Sequence, residues 1–214
     1  MIKHHLTPEL LMSYSAGTLP EALNLVVAAH VSMCDACRAE VEGYDAVGGT
    51  LLDRDGGDGV SESCLTGALG RIRADAPVSA DTTVKAADPR VPAPLAAYIG
   101  GRLEDVNWRP VGMGVKQAIL ATSPEATARL LYIPAGTAVP DHGHRGIEVT
   151  MVLQGAFEDE DGRFARGDVE VAAEDLQHTP VADISEDCIC LAVTDAPLRF
   201  KGLLPRLAQP FLKI

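Results

Sequence analysis

Two separate clusters of metal-ligating residues constrain what this 214-residue chain can fold into. The first is the segment HVSMCDAC at residues 30–37, and the second has the spacing G-x5-H-x-H-x3-E-x6-G between Gly136 and Gly155. Imidazole mixed with thiolates suits a closed tetrahedral zinc site, whereas imidazoles with a carboxylate suit a divalent ion that keeps room for another ligand. The two chemistries, far apart in the sequence, predict a two-domain sensor or metalloenzyme.

The composition excludes several classes of protein. A hydrophobic content of 47% is too high for wholesale disorder, and no apolar run approaches the roughly 20 residues that span a bilayer. The N-terminal segment MIKHH has no apolar signal core. Five cysteines, with a C-x-x-C among them, favour metal or redox chemistry over a disulfide framework. We therefore expect a cytoplasmic protein without a membrane anchor.

The charge balance points away from nucleic acid. The net charge is −12, and neither half of the chain has the basic face with which proteins neutralise phosphates. An acidic surface attracts a basic protein partner, although acidic charge also serves solubility alone.

Residues 1–75 have the pattern of a small helical bundle. Thr7 is expected to cap a first helix, a second runs from Pro20 to His30, and Ser32 is expected to cap a third that extends past Val41. A loop over residues 53–59 and a short helix over residues 64–74 follow. Such a small all-α domain has a limited core and needs a metal, a partner or both.

The pattern changes after a proline-rich segment. Residues 76–94 carry four prolines without helical or strand periodicity and are predicted to be a linker. Residues 95–214 open with a short helical turn and then alternate apolar, β-branched runs with Gly, Pro or Asp, as all-β sandwiches and barrels do. The predicted strands cover residues 115–120, 129–133, 147–153, 169–171 and 188–193. The fold class is multidomain, a small all-α bundle followed by an all-β barrel.

The first cluster is expected at a corner between two helices. His30 falls in the last turn of one helix, and Cys34 and Cys37 fall in the first turn of the next. A helix N-terminus lowers the pKa of a thiol, which favours metal binding. A closed site needs a fourth ligand, for which His4 and His5 are both available. The simpler alternative is an accidental or redox-active C-x-x-C pair.

This corner resembles the zinc-binding anti-sigma factor domain. In that family H-x-x-x-C-x-x-C follows an upstream histidine by about 25 residues, and His5 stands at that distance from His30, whereas His4 does not. The resemblance implies Zn²⁺ held by His5, His30, Cys34 and Cys37. It also implies a helical domain that wedges between the two principal domains of an extracytoplasmic-function sigma factor, as a 1:1 heterodimer.

The second cluster places two imidazoles on one face of a strand. His142 and His144 are two residues apart, so their side chains project the same way, and Glu148 returns to that face on the next strand. The spacing resembles the first motif of the cupin family. Gly167 and, eleven residues later, His178 stand where the second cupin motif has its glycine and ligand histidine. The chain departs from that motif at Ala173, Asp175 and Ala182, which puts its turn in doubt.

The resemblance implies a metal held by His142, His144, Glu148 and His178. A His3Glu set suits Zn²⁺ as well as iron, manganese or nickel. Zinc would indicate a structural or sensory site, whereas iron or manganese would permit oxygen chemistry. Cupins without metal or catalysis also exist, so a bare barrel is the simpler alternative.

The remaining cysteines have weaker signals. Cys188 and Cys190 share one face of a late apolar strand, with Ile189, Leu191 and Val193 on the other. They are interpreted first as small buried hydrophobes and second as an oxidation target near His178. Cys64 has no predicted function.

The two domains in this order resemble the anti-sigma factors that release an extracytoplasmic-function sigma factor in response to singlet oxygen. That resemblance implies a non-enzymatic protein in which the helical domain inhibits and the cupin domain senses. One alternative is a metal-dependent cupin oxygenase whose helical extension serves docking or dimerisation. Another is a metal-homeostasis sensor, which metal rather than oxidant would trigger.

Overall fold

A computed structural model describes residues 1–55, 57, 59–74, 88–143, 145–172 and 177–200. Helices occupy the first part of the described chain and strands the second. The helices are α1 (Pro8–Ser15), α2 (Glu21–Val31), α3 (Asp35–Arg54), α4 (Glu62–Ala74) and α5 (Ala93–Ile99), with a 3-10 turn at Leu103–Asp105. None of these helices is both long and apolar enough to cross a bilayer.

Local signals set most helix ends. The Thr7 hydroxyl accepts a hydrogen bond from the Leu10 amide at 3.4 Å, and Gly17 follows α1 with a φ of +67°. The expectation for Ser32 is wrong. Its hydroxyl donates to the Ala29 carbonyl at 2.7 Å and so closes α2, and Cys34, in extended conformation, is the residue that precedes α3.

Antiparallel strands build the second part of the chain. Their bounds agree with the predicted runs to within a few residues, and several short strands are added. They are β1 (Arg109–Gly112), β2 (Val115–Ile119), β3 (Thr127–Ile133), β4 (His142–Gly143), β5 (Glu148–Gln154), β6 (Ala156–Asp159), β7 (Gly162–Ala165), β8 (Val169–Ala172), β9 (Gln177–His178), β10 (Val181–Ala182), β11 (Cys188–Thr194) and β12 (Arg199–Phe200).

The described strands form one large sheet and two small ones. The six-stranded sheet has the order β1-β2-β3-β11-β5-β8, and the three-stranded sheets have the orders β10-β6-β7 and β12-β4-β9. The sheet β12-β4-β9 pairs β4 with β9 and places His142 opposite His178. This pairing brings together two histidines that lie far apart in the sequence.

One hydrophobic core joins the helices to the large sheet. Helix α2 is apolar on nearly every face and contacts β3, β5, β11 and α5. Its fully buried Val26 and Val27 belong to the same cluster as Leu130, Val149 and Leu191 of the sheet. We expected a bundle with its own limited core; instead the sheet covers α2, because a helix that is apolar all round must be buried.

The other face of the large sheet lines a second core. Alternation along β11 directs Cys188 and Cys190 to this side and Ile189 and Leu191 to the helices, as predicted. Phe157 and Phe164 pack against the two cysteines there. The barrel interior is thus apolar at this end.

The end of the predicted linker is anchored to the barrel. Residues 75–87 lie outside the described part of the chain, and α5 begins inside the segment predicted to be linker. The buried Asp88 carboxylate accepts hydrogen bonds from the guanidinium of Arg90 at 2.7 Å and from the Leu103 amide at 3.2 Å. The proposed domain division at 75 and 94 stays a prediction.

We predict that Asp88→Asn lowers the free energy of unfolding by about 2 kcal/mol, because it removes charge-assisted hydrogen bonds from a buried carboxylate. The bond from Arg90 holds the pKa of Asp88 well below its ordinary value. A carboxylate with a lowered pKa stabilises the fold above roughly pH 4 and loses this contribution as pH falls. Urea unfolding should therefore show a gap between wild type and variant that narrows on acidification. Equal stability at neutral pH would contradict the assignment.

Candidate metal centres

Four predicted ligands meet at the corner between α2 and α3. The ligand atoms of His5, His30, Cys34 and Cys37 all lie within 4.8 Å of one another. His5 Nδ1 is 3.3 Å from Cys34 Sγ and 3.6 Å from Cys37 Sγ, and His30 Nε2 is 3.3 Å from Cys37 Sγ. Two sulfurs and two imidazole nitrogens at this spacing could hold a metal ion.

The fold selects one of the two N-terminal histidines. His5 precedes α1 and reaches the cluster, whereas the ring of His4 packs on Phe164 of the barrel with 4.3 Å between ring centroids. Consecutive residues of an extended segment point to opposite sides, so only one of the pair can face the cysteines.

His30 is fixed by the barrel. Its side chain is fully buried, and its Nδ1 lies 2.9 Å from the Gly167 carbonyl oxygen. Since a carbonyl only accepts, Nδ1 carries the proton and Nε2 presents its lone pair to the cluster. Burial lowers the pKa of His30 to about 4, so the imidazole is neutral at physiological pH, the form that binds metal.

The pKa of Cys37 shifts in the direction opposite to the one predicted from the helix N-terminus. Burial raises the pKa of Cys37 to about 11, with Cys34 adding to the effect, so desolvation outweighs the helix N-terminus in the absence of a cation. A metal ion that binds the cluster must displace the thiol proton, which makes binding stronger at higher pH.

The barrel brings two of its predicted ligands together. His142 on β4 faces His178 on β9, with 3.2 Å between the two Nε2 atoms. His142 Nδ1 lies 2.9 Å from the Pro140 carbonyl oxygen. His144 and the motif departures at Ala173 and Asp175 lie outside the described residues.

Glu148 begins β5 and is buried. One of its carboxylate oxygens accepts a hydrogen bond from the Thr150 hydroxyl at 3.0 Å. The end of the same strand requires glycine: Gly155 has a φ of +69°, and a Cβ there would lie 2.7 Å from the Asp187 carbonyl oxygen. This turn fixes the register of the strand that carries Glu148.

Two carboxylates that lie beside His178 were not predicted from the sequence. His178 Nδ1 lies 2.8 Å from an Asp159 oxygen and 2.9 Å from a Glu170 oxygen. Burial alone would lower the pKa of His178, but ion pairs with Glu170 and Asp159 raise it to about 9, and burial raises the pKa of Glu170 to about 7. In the sequence, the one sign of the importance of Glu170 was its charged side chain between Val169 and Val171 of an apolar strand.

Asp159, Glu170 and His178 also form a compact group that could hold a cation, within the described residues. In metal sites a carboxylate usually orients the histidine from the nitrogen that does not bind the metal. The placement of both carboxylates on Nδ1 leaves His178 Nε2 directed at His142.

The barrel cysteines form a close pair. The Sγ atoms of Cys188 and Cys190 are 3.5 Å apart, and both side chains are buried. The neighbouring Cys188 and burial raise the pKa of Cys190 well above that of an ordinary thiol. By contrast, Cys64 is exposed on α4.

Comparison with known proteins gives the family. Residues 97–198 match the family described as the ChrR cupin-like domain. Over its full length the chain is 56% identical to the anti-sigma-E factor ChrR of Cereibacter sphaeroides, covering 99% of that protein. A chain in the crystal structure of Rhodobacter sphaeroides SigE in complex with the anti-sigma ChrR is 54% identical, with a TM-score of 0.80 over 91% of this chain and 99% of that one. The chain therefore belongs to the ChrR family of anti-sigma factors.

We predict that the native protein reacts with iodoacetamide at neutral pH first at Cys64. The thiolate is the reactive form, and a raised pKa together with burial protects Cys190, while Cys188 is buried beside it. Mass spectrometry of tryptic peptides at short times should show one modified site. Equal labelling of Cys188 or Cys190 without denaturant would contradict the described packing.

Proposed function

We propose that this chain binds an extracytoplasmic-function sigma factor in a 1:1 complex through its helical part and keeps it inactive. We further propose that the barrel senses singlet oxygen or related oxidants and ends that inhibition. The proposal places the protein in the cytoplasm, where sigma factors act. Its support is the membership in the ChrR family, the described SigE complex of a relative and one feature of the helical surface.

The feature that carries the proposal is an uncovered apolar surface on α3 and α4. No residue of α4 is buried, and α3 is buried only at Cys37 and Val41. We call this surface the apolar face, and its members are Val47, Leu51, Leu65, Leu69 and Ile72. The exposed fraction of these residues ranges from 40% for Leu69 to 71% for Ile72. Their spacing places them on one side of each helix, and exposed apolar side chains in such a group mark a protein interface.

The charge of the chain suits the same partner. A net charge of −12 disfavours direct binding to nucleic-acid phosphates and favours association with a basic protein surface. DNA-binding sigma factors carry such surfaces. The inhibitor would then bind by apolar contacts and be guided by charge.

The proposed ion of the helical site is Zn²⁺, held by His5, His30, Cys34 and Cys37. Two thiols and two imidazoles, of which only His5 is exposed, fit this ion better than hard cations, which prefer oxygen. When bound, the ion would join the segment before α1 to the α2–α3 corner. Helix α3, which presents part of the apolar face, would then be held against α2 and the segment before α1.

The proposed barrel ion is held by His142, His144, Glu148 and His178. The donor set fits Zn²⁺, and also iron, manganese or nickel. Asp159 and Glu170 would orient His178 from its Nδ1 side, as outer-sphere carboxylates do. In this proposal the imidazoles and the nearby buried thiols are the oxidisable groups, and their loss changes the barrel.

We predict that Leu69→Glu with Ile72→Glu weakens binding of the sigma factor at least 100-fold, because charges enter the centre of the apolar interface. Isothermal titration calorimetry with the purified sigma factor measures the change. The control is Ile184→Glu, which places one of the two added charges on an exposed apolar residue of the barrel. If both variants bind like wild type, the apolar face is not the interface.

We predict that His5→Asn loses the metal of the helical site while His4→Asn retains it. The neighbouring histidine is the control, because it lies against Phe164 and outside the cluster. Metal analysis of dialysed protein should give one ion less for His5→Asn than for wild type. Equal metal content in the two variants would contradict the ligand assignment.

A further inference from the structure

A buried carboxylate of the barrel accepts hydrogen bonds from the N-terminal segment. Asp168, in the turn between β7 and β8, accepts hydrogen bonds on one oxygen from the amides of Lys3 at 2.6 Å and His4 at 3.0 Å. Its other oxygen accepts from the Ala165 amide at 2.9 Å, which holds the turn itself. The side chain is 3% exposed, so these bonds are shielded from water.

The backbone continues this contact to the residue before a metal ligand. The Val169 amide donates to the His4 carbonyl at 3.3 Å, so residues 3 and 4 lie along the start of β8. His5 is the next residue. Its position is therefore set from the barrel side as well as from α1.

Gly167 of the same turn holds a second ligand. Its carbonyl oxygen accepts from His30 Nδ1, and its φ of +89° is in the region that favours glycine. A Cβ at this position would lie 2.8 Å from the Ile2 side chain. The absence of a side chain thus lets the N-terminal segment and α2 approach the same peptide.

We propose that the turn at residues 165–169 positions His5 and His30, so that the barrel slows the loss of metal from the helical site. Asp168 is a positioning residue for His5, and the Gly167 carbonyl fixes the ring of His30. The inference rests on the metal site proposed above and adds that barrel residues position two of its ligands. Outer-sphere partners of metal ligands change metal affinity by roughly 10- to 100-fold.

The same strand reaches the second site. Glu170, in β8, contacts His178 and lies one residue beyond Val169, which bonds to His4. Along the chain, Glu170 stands two residues from Asp168 and three residues from Gly167. The turn connects the two candidate sites over a few residues.

The test is Asp168→Asn in the full-length protein. An asparagine cannot accept on both sides, since its amide nitrogen would face either Ala165 or the pair of N-terminal amides. We expect release of zinc to a chelator at least 10-fold faster than in wild type, followed by absorbance of the chelator complex. In cobalt-loaded protein the thiolate-to-cobalt absorption should weaken or shift. Asp187→Asn is the matched control, because that carboxylate also accepts a barrel amide, of Ala135, but does not contact the N-terminal segment.

Lys3→Pro is a second variant that leaves the barrel unchanged. It removes the Lys3 amide, one of the two amides that donate to Asp168, and should also accelerate zinc release. Zinc release as slow as in wild type from both variants, with an unchanged cobalt spectrum, would overturn the inference and leave the metal site standing. A wild-type protein that shows no thiolate-to-cobalt absorption would instead overturn the proposed site itself.

Discussion

The hydrogen bond between His30 and the Gly167 carbonyl is the interaction on which the rest of the structure depends. It joins the last turn of α2 to a turn of the barrel, with the imidazole fully buried between them. The bond fixes which nitrogen faces Cys37, and burial, whose effect on the pKa outweighs that of the bond, keeps the ring neutral at physiological pH. Burial of α2 against the large sheet makes this geometry possible, because it brings the last turn of the helix beside the turn that carries Gly167.

In the proposed function the helices bind a partner and the barrel senses the oxidant, and this arrangement would keep the two parts connected. The apolar face on α3 and α4 points away from the barrel contacts and is left for a partner, as the family membership leads us to propose. The barrel interior holds His142 and His178 with their carboxylates. Within the described residues a shared core lies between them, so a change in one part has packed residues through which to act on the other.

The sequence predicted those parts of the structure that depend on local spacing. His30, Cys34 and Cys37 belong to one helix corner, and the choice of His5 over His4 came from family resemblance, with which the geometry agrees. Asp168 and Asp159 could not be predicted, because each contacts residues remote in sequence that only the tertiary fold brings close. Glu170 stood out as a carboxylate in an apolar strand, but its contact with His178 depends on the tertiary fold as well. The predicted direction of the Cys37 pKa shift was wrong for the same reason, because burial by the fold outweighs the local helix dipole.

The most direct measurement of the central claim is release of the sigma factor from the purified complex under singlet oxygen generated by illuminated methylene blue. The comparison is between wild type and a chain with His142→Gln and His178→Gln, which keeps polar side chains in the buried site. The account predicts that both bind the sigma factor in the dark and that illumination releases it from wild type only. Release from the variant at the wild-type rate would contradict the assignment of sensing to the barrel.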